Sequence, residues 1–170
     1  MGPLIAARER NAPRTGFTLL EILVVVAILA IAAGIVVASI DRDERGTLDR
    51  EARRFAGALD YAARSAQLRH ETLGVSVDDH AWRFWLRSDG RWRALSDDEP
   101  LAPRALPDAF SAQALSFAGQ PIAPQTIVPL RASGRNEPYA FRLAGPTLEA
   151  IVSADPMNRI ALAGPQPIAQ

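Results

Sequence analysis

His70 and His80 are the only imidazoles in this 170-residue sequence, and there is no cysteine, so proton transfer near neutral pH rests on two residues and thiolate chemistry on none. Two histidines do not complete a metal cage. His70 ends a helical stretch among charged residues and His80 falls in a predicted turn, where each is expected to be solvated rather than catalytic. No nucleophile elbow, phosphate-binding glycine loop or histidine pair at metal-ligand spacing is present. Asp78-Asp79 and Asp97-Asp98-Glu99 offer oxygen ligands for Ca²⁺, but short acidic runs are ordinarily exposed loops. An enzyme is therefore not expected, nor a metal or cofactor. The ionisable residue whose placement demands a reason is Glu21, which has apolar residues on both sides at the head of a long uncharged run. A lone carboxylate is costly there.

That run, Ile22 to Ile40, has Ser39 as its only polar side chain, and as a helix it would extend roughly 28 Å, enough to cross a bilayer core. Ahead of it stand Arg8, Arg10 and Arg14, opposed only by Glu9. This is the positive excess that stays cytoplasmic while the C-terminal part is exported. A cleavable secretory signal would share the basic start. It would not share the length of the apolar stretch, nor the charged sequence Asp41-Arg42-Asp43-Glu44-Arg45 that follows in helical register. The anchor is expected to stay attached.

The string Gly16-Phe17-Thr18-Leu19-Leu20-Glu21, followed directly by the apolar run, resembles the signature of type IV pilins and type II secretion pseudopilins. The resemblance implies that a prepilin peptidase cuts after Gly16 and that the new N-terminal Phe17 is N-methylated. It also makes Glu21 the family's assembly glutamate, with Arg8, Arg10 and Arg14 orienting the leader. Cleavage would place an ammonium group at Phe17, four residues from the Glu21 carboxylate. In a bundle of stacked helices the carboxylate of one subunit can meet the amine of its neighbour, and Glu21 then sets the register.

No proline occurs between Arg14 and Glu99, and Leu48, Ala52, Phe55, Leu59, Ala62 and Ala66 recur at helical intervals. One helix is expected from Phe17 to about Leu68, roughly 75 to 80 Å long, with an amphipathic second half. Asp49 with Arg53 and Asp60 with Arg64 form acid-before-base pairs on a face read as solvated. From Leu73 the period becomes two. Leu73 to Val77, Trp82 to Leu86 and Arg91 to Leu95, separated by Asp78-Asp79-His80 and Ser88-Asp89-Gly90, read as a three-stranded antiparallel meander. Further strands are expected around Ala114 to Phe117, Thr126 to Leu130, Tyr139 to Leu143, Leu148 to Val152 and Arg159 to Leu162, beyond a long irregular connection marked by Pro100, Pro103 and Pro107. Alternation points Trp82 to the core and Trp85 to the opposite face, and both are expected to pack inside, under a second layer or a loop. The predicted fold is α+β: a long N-terminal helix, half membrane-embedded and half amphipathic, packed on an antiparallel β head of two sheets. The expected divisions are a leader (1–16), an assembly half (17–40), an amphipathic half (41–71) and a periplasmic head (72–170).

Glu51-Ala52-Arg53-Arg54-Phe55-Ala56, Asp89-Gly90-Arg91-Trp92-Arg93, Pro103-Arg104-Ala105-Leu106-Pro107 and Ser133-Gly134-Arg135 extend the resemblance to the H-type minor pseudopilins. It implies a low-copy subunit near the tip of the pseudopilus of a type II secretion machine. The implied partners are other major and minor pseudopilins, the prepilin peptidase/methyltransferase and inner-membrane lipid. The implied location is the inner membrane, crossed once, with the head in the periplasm. The main rival is a minor pilin of a type IV pilus, of the FimT-like class, for which DNA binding is the property to weigh. Nucleic acid is disfavoured because 19 arginines meet 19 acids, and loss of residues 1–16 takes away three arginines and one acid.

Overall fold

A computed structural model describes residues 19–96 and 98–168. The chain divides into two compact units, residues 1–39 and 40–170, and helix α1 (Leu19–Arg69) contributes to both. Its C-terminus shows why it stops where it does. His70 takes a left-handed conformation (φ 56°), its N–H reaches the Gln67 carbonyl (3.4 Å), and the Glu71 N–H reaches that of Ala66 (3.1 Å). This reversed double bond satisfies carbonyls that the last turn would leave open, with Arg69 placed to complement the helix dipole.

In the second unit, Leu48, Ala52, Phe55, Leu59, Ala62 and Ala66 are all fully buried, as the helical spacing predicts. The alanines let the helix lie close to the strands, and Phe55 wedges between the two sheets. Its ring centroid lies 4.9 Å from that of Trp82 and 5.3 Å from that of Phe141, the second pair edge to face. The helix is thus held by apolar contact with both sheets at once.

The first sheet has strand order β3-β2-β1-β7, from β1 (Thr72–Asp78), β2 (Ala81–Ser88), β3 (Arg91–Ala94) and β7 (Val128–Leu130), with β4 (Arg104–Ala105) beside β2. The second has the order β10-β9-β8-β5-β6, from β5 (Ser111–Phe117), β6 (Gln120–Pro121), β8 (Tyr139–Ala144), β9 (Leu148–Ala154) and β10 (Ile160–Pro167). Every pairing is antiparallel. The meander is present, but β7 joins it across β1, a partner about fifty residues away that periodicity cannot identify. β4 and β6 are too short to carry a period and were not expected. β10 continues past Leu162 through the proline-rich end, by way of a register shift between Ala163 and Gln166. On an edge strand the missing proline N–H is tolerated.

β1 departs from simple alternation. Leu73, Val75 and Val77 face the core, yet Gly74 and Ser76 on the other side are buried too. Trp85, Trp92 and Ile127 cover them: a Cβ added to Gly74 would lie 2.5 Å from Ile127 Cγ2 and 2.8 Å from Trp92 Cζ3. Gly74→Ala is accordingly expected to destabilise the head by about 1–3 kcal/mol, since a ring and a β-branched side chain must both move. Chemical denaturation followed by tryptophan fluorescence would measure this, and unchanged stability would show that the covering layer is loose.

Candidate functional site

The strongest polar link between α1 and the β layers is a carboxylate. Glu44, only 7% exposed, accepts hydrogen bonds from the Thr147 N–H (2.8 Å), the Thr147 hydroxyl (2.8 Å) and the Leu148 N–H (2.9 Å) at the turn between β8 and β9. Burial alone would raise its pKa. The bonds from Thr147 and Leu148 outweigh that effect and hold the carboxyl below its ordinary value. Gly145 makes room for this latch, because a Cβ there would lie 2.6 Å from Glu44 Oε1. A second link is bidentate: Arg104 on β4 donates from Nε and Nη2 to Glu51, each at 3.0 Å, and Arg54 approaches the same carboxylate at 3.5 Å. The Glu51 hydrogen bond raises the Arg104 pKa above its already high ordinary value. Asp98 adds a third link, accepting from Arg69 at 3.3 Å and from Tyr61 at 3.5 Å. The Arg104 and Asp98 links position the irregular segment between β3 and β5, whose Leu101 is fully buried.

Loops of the second sheet are tied by a buried amide pair. Asn136 donates from Nδ2 to Asn158 Oδ1 at 2.7 Å and accepts from the Arg131 N–H at 2.8 Å, while Asn158 donates to the Gly134 carbonyl at 3.1 Å. Asp155 closes the neighbouring turn by accepting from the Met157 and Arg159 N–H groups and from Arg159 Nε. The Arg159 backbone bond leads the causes that lower its pKa.

Of the residues singled out in the sequence, Gly16, Phe17, Arg8, Arg10 and Arg14 lie outside the described residues. Glu21 sits in the first turn of α1, exposed, with Leu19, Leu20, Ile22 and Leu23 exposed around it. Leu19, Ile22, Leu23 and Val26 line a shallow apolar groove on this first unit. Among the described residues no helix is long and apolar enough to cross a membrane. The side chains of Ala33 and of residues 35–42, which include much of the expected span, lie outside the described residues.

His70 and His80 are both exposed, and His80 Nδ1 lies 3.1 Å from the Phe110 carbonyl oxygen. Among the described residues no three His, Asp or Glu side chains converge as a metal site; Asp97 is outside them. Asp49 pairs with Arg53 at 2.8 Å and Asp60 with Arg64, as the spacing predicts. Glu44 and Glu51 were missed. They sit in a charge-dense stretch that reads as solvated, and the only local signal was their place on the turns flanking Leu48. Trp82 is in the core. Trp85 corrects the expectation of full burial: it is half-buried on the opposite face, where its indole N–H donates to Ser76 Oγ at 2.9 Å.

The motif described as the prokaryotic N-terminal methylation motif matches residues 11–37. The type II secretion system protein H of Escherichia coli K12 is 30% identical over 163 residues, covering 91% of this chain and 92% of that protein. The chain belongs to the type II secretion system protein H family. The protein of the same name from Aeromonas hydrophila is 36% identical over 105 residues, a match that spans 59% of this chain and 57% of the relative. The fold agrees with the minor pseudopilin EpsH of Vibrio cholerae, with a TM-score of 0.56 at 19% identity over 70% of this chain and 98% of that one. It also agrees with E. coli GspH in solution, with a TM-score of 0.55 at 22% identity over 72% and 92%. As a member of the family, the chain is a minor pseudopilin of the type II secretion system, a structural subunit, and the FimT-like alternative is not favoured.

Proposed function

We propose that prepilin peptidase cuts this chain between Gly16 and Phe17 and methylates the new amine, and that the product crosses the inner membrane once, with residues 41–170 in the periplasm. Arg8, Arg10 and Arg14 hold the leader on the cytoplasmic side. Supporting this reading is the combination of a methylation motif over residues 11–37 with a helix whose first turn carries Glu21 amid exposed leucine and isoleucine. Such a surface is stable only when covered by lipid or by neighbouring helices. In the filament, the Glu21 carboxylate accepts a hydrogen bond from a neighbour's Phe17 ammonium group and balances its charge. That neighbour is another pseudopilin, and the subunit joins the tip complex to the shaft while folded proteins are exported across the outer membrane.

Intact-mass and N-terminal peptide spectrometry on protein recovered from its native membrane tests the processing. A chain beginning at Phe17 and bearing one added methyl group is expected, and an unprocessed leader would overturn the reading. Crosslinking that placed the head only at the filament base would overturn the placement.

A further inference from the structure

The solvent side of the first sheet carries an aromatic platform. Register aligns Trp85 with Gly74 and Ala94, and Arg87 with Thr72 and Trp92, so the two indoles share the face turned away from α1. Each is fixed. Trp85 is held through Ser76 Oγ, and Trp92 lies over Gly74 with the Arg87 guanidinium 5.7 Å from its ring centroid. Burial of Gly74 needs only a covering ring, and both indoles are half-buried, so part of each ring stays open to solvent. Arg83 and Arg87 edge the platform and are exposed; Asp78 lies 3.8 Å from Arg83 and is 31% exposed, and exposed Asp89 lies at the Trp92 end together with Arg91 and Arg93. The face therefore combines preordered tryptophan area with a cationic excess, in a chain whose charges balance only as a whole.

We propose that this face, centred on Trp85 and Trp92 and edged by Arg83 and Arg87, docks an acidic patch on the periplasmic head of another pseudopilin. The inference rests on the reading of the chain as a pseudopilus subunit. Tryptophan and arginine are enriched among the residues that dominate interface energetics: the indole buries large area, and the planar guanidinium forms several hydrogen bonds for each side chain ordered. The excess of arginine selects an anionic partner and suppresses cationic ones. A few arginines interspersed with Asp78 and Asp89 are too sparse to neutralise a polyphosphate backbone, which argues for a protein acid patch rather than nucleic acid.

The absence of native cysteine makes the test direct. Full-length chains carrying Arg83→Cys, Arg87→Cys or, as a control on the opposite sheet's exposed turn, Met157→Cys are expressed with the other pseudopilins of the same system. The thiol is then loaded with a photoactivated crosslinker. Positions 83 and 87 are expected to give one product with a single pseudopilin, and position 157 none with that protein. R83E/R87E is expected to reduce binding of that pseudopilin's purified full-length chain about tenfold. Reversing the partner's facing carboxylate to arginine is expected to restore it.

Absence of a pseudopilin product at 83 and 87, with leader processing and secretion intact, overturns the docking face and leaves the subunit assignment standing. Equal labelling from position 157, or products with peptidoglycan or DNA in place of protein, overturns it as well. Unprocessed, non-secreting chains would instead sink the underlying reading.

Discussion

Glu44→Ala is expected to lower the thermal midpoint of the head by about 10 °C, corresponding to about 2–4 kcal/mol. The substitution removes a charged acceptor from two backbone N–H groups and a hydroxyl, all from residues 147 and 148. A buried donor left without a partner loses its full desolvation compensation, although water entering the vacated space recovers part of it. Glu44→Gln is expected to rescue only part of the loss: its carbonyl oxygen can keep the two N–H bonds and its amide can donate to the Thr147 hydroxyl, but the bonds no longer have a charged acceptor.

The linkage has a definite sign. The folded-state pKa of Glu44 lies below its ordinary carboxylate value, so its contribution is fully present above that value and disappears as pH falls through the folded pKa. The wild type is therefore expected to lose more stability than Glu44→Ala between about pH 7 and about pH 3. Denaturant titrations of both proteins at the two pH values check this. A change below about 0.5 kcal/mol at neutral pH would mean that the latch contributes nothing.

Glu21→Gln is expected to leave leader processing unchanged but to reduce incorporation into the pseudopilus by about two to three orders of magnitude. The proposed cut site lies upstream of Glu21, and its cleavage is expected to be independent of that charge. The proposed neighbour's ammonium group does depend on it, because an amide offers a hydrogen bond but no countercharge in an apolar surround. Removing one member of a buried ion pair costs about 3–5 kcal/mol, most of it from the charge left behind. Immunoblots of sheared filaments and secretion assays read the outcome. Normal incorporation of the glutamine variant would refute the register role proposed for Glu21.

The helix and most strands were legible because their signals are local. The buried stripe from Leu48 to Ala66 follows from spacing alone, and β1, β2 and β3 follow from alternation broken by short turns. The strand pairings were less legible. β7 lies against β1 by long-range register, and β4 and β6 have two residues each, too few for any period. The latch was hidden for a different reason. Glu44 resembles its exposed neighbours until the turn after β8 delivers two N–H groups and a hydroxyl to it.

Chain order alone determined the processing motif, the apolar run behind Glu21, the helical stripe and the family, because each depends on residues close in sequence or on type at fixed spacing. Tertiary structure alone decided which acids are buried, that Phe55 bridges two sheets, and that Trp85 and Trp92 come to lie over Gly74 and Ser76. Those outcomes depend on groups far apart along the chain, brought together only when the sheets close over the helix and each buried polar atom must find a partner.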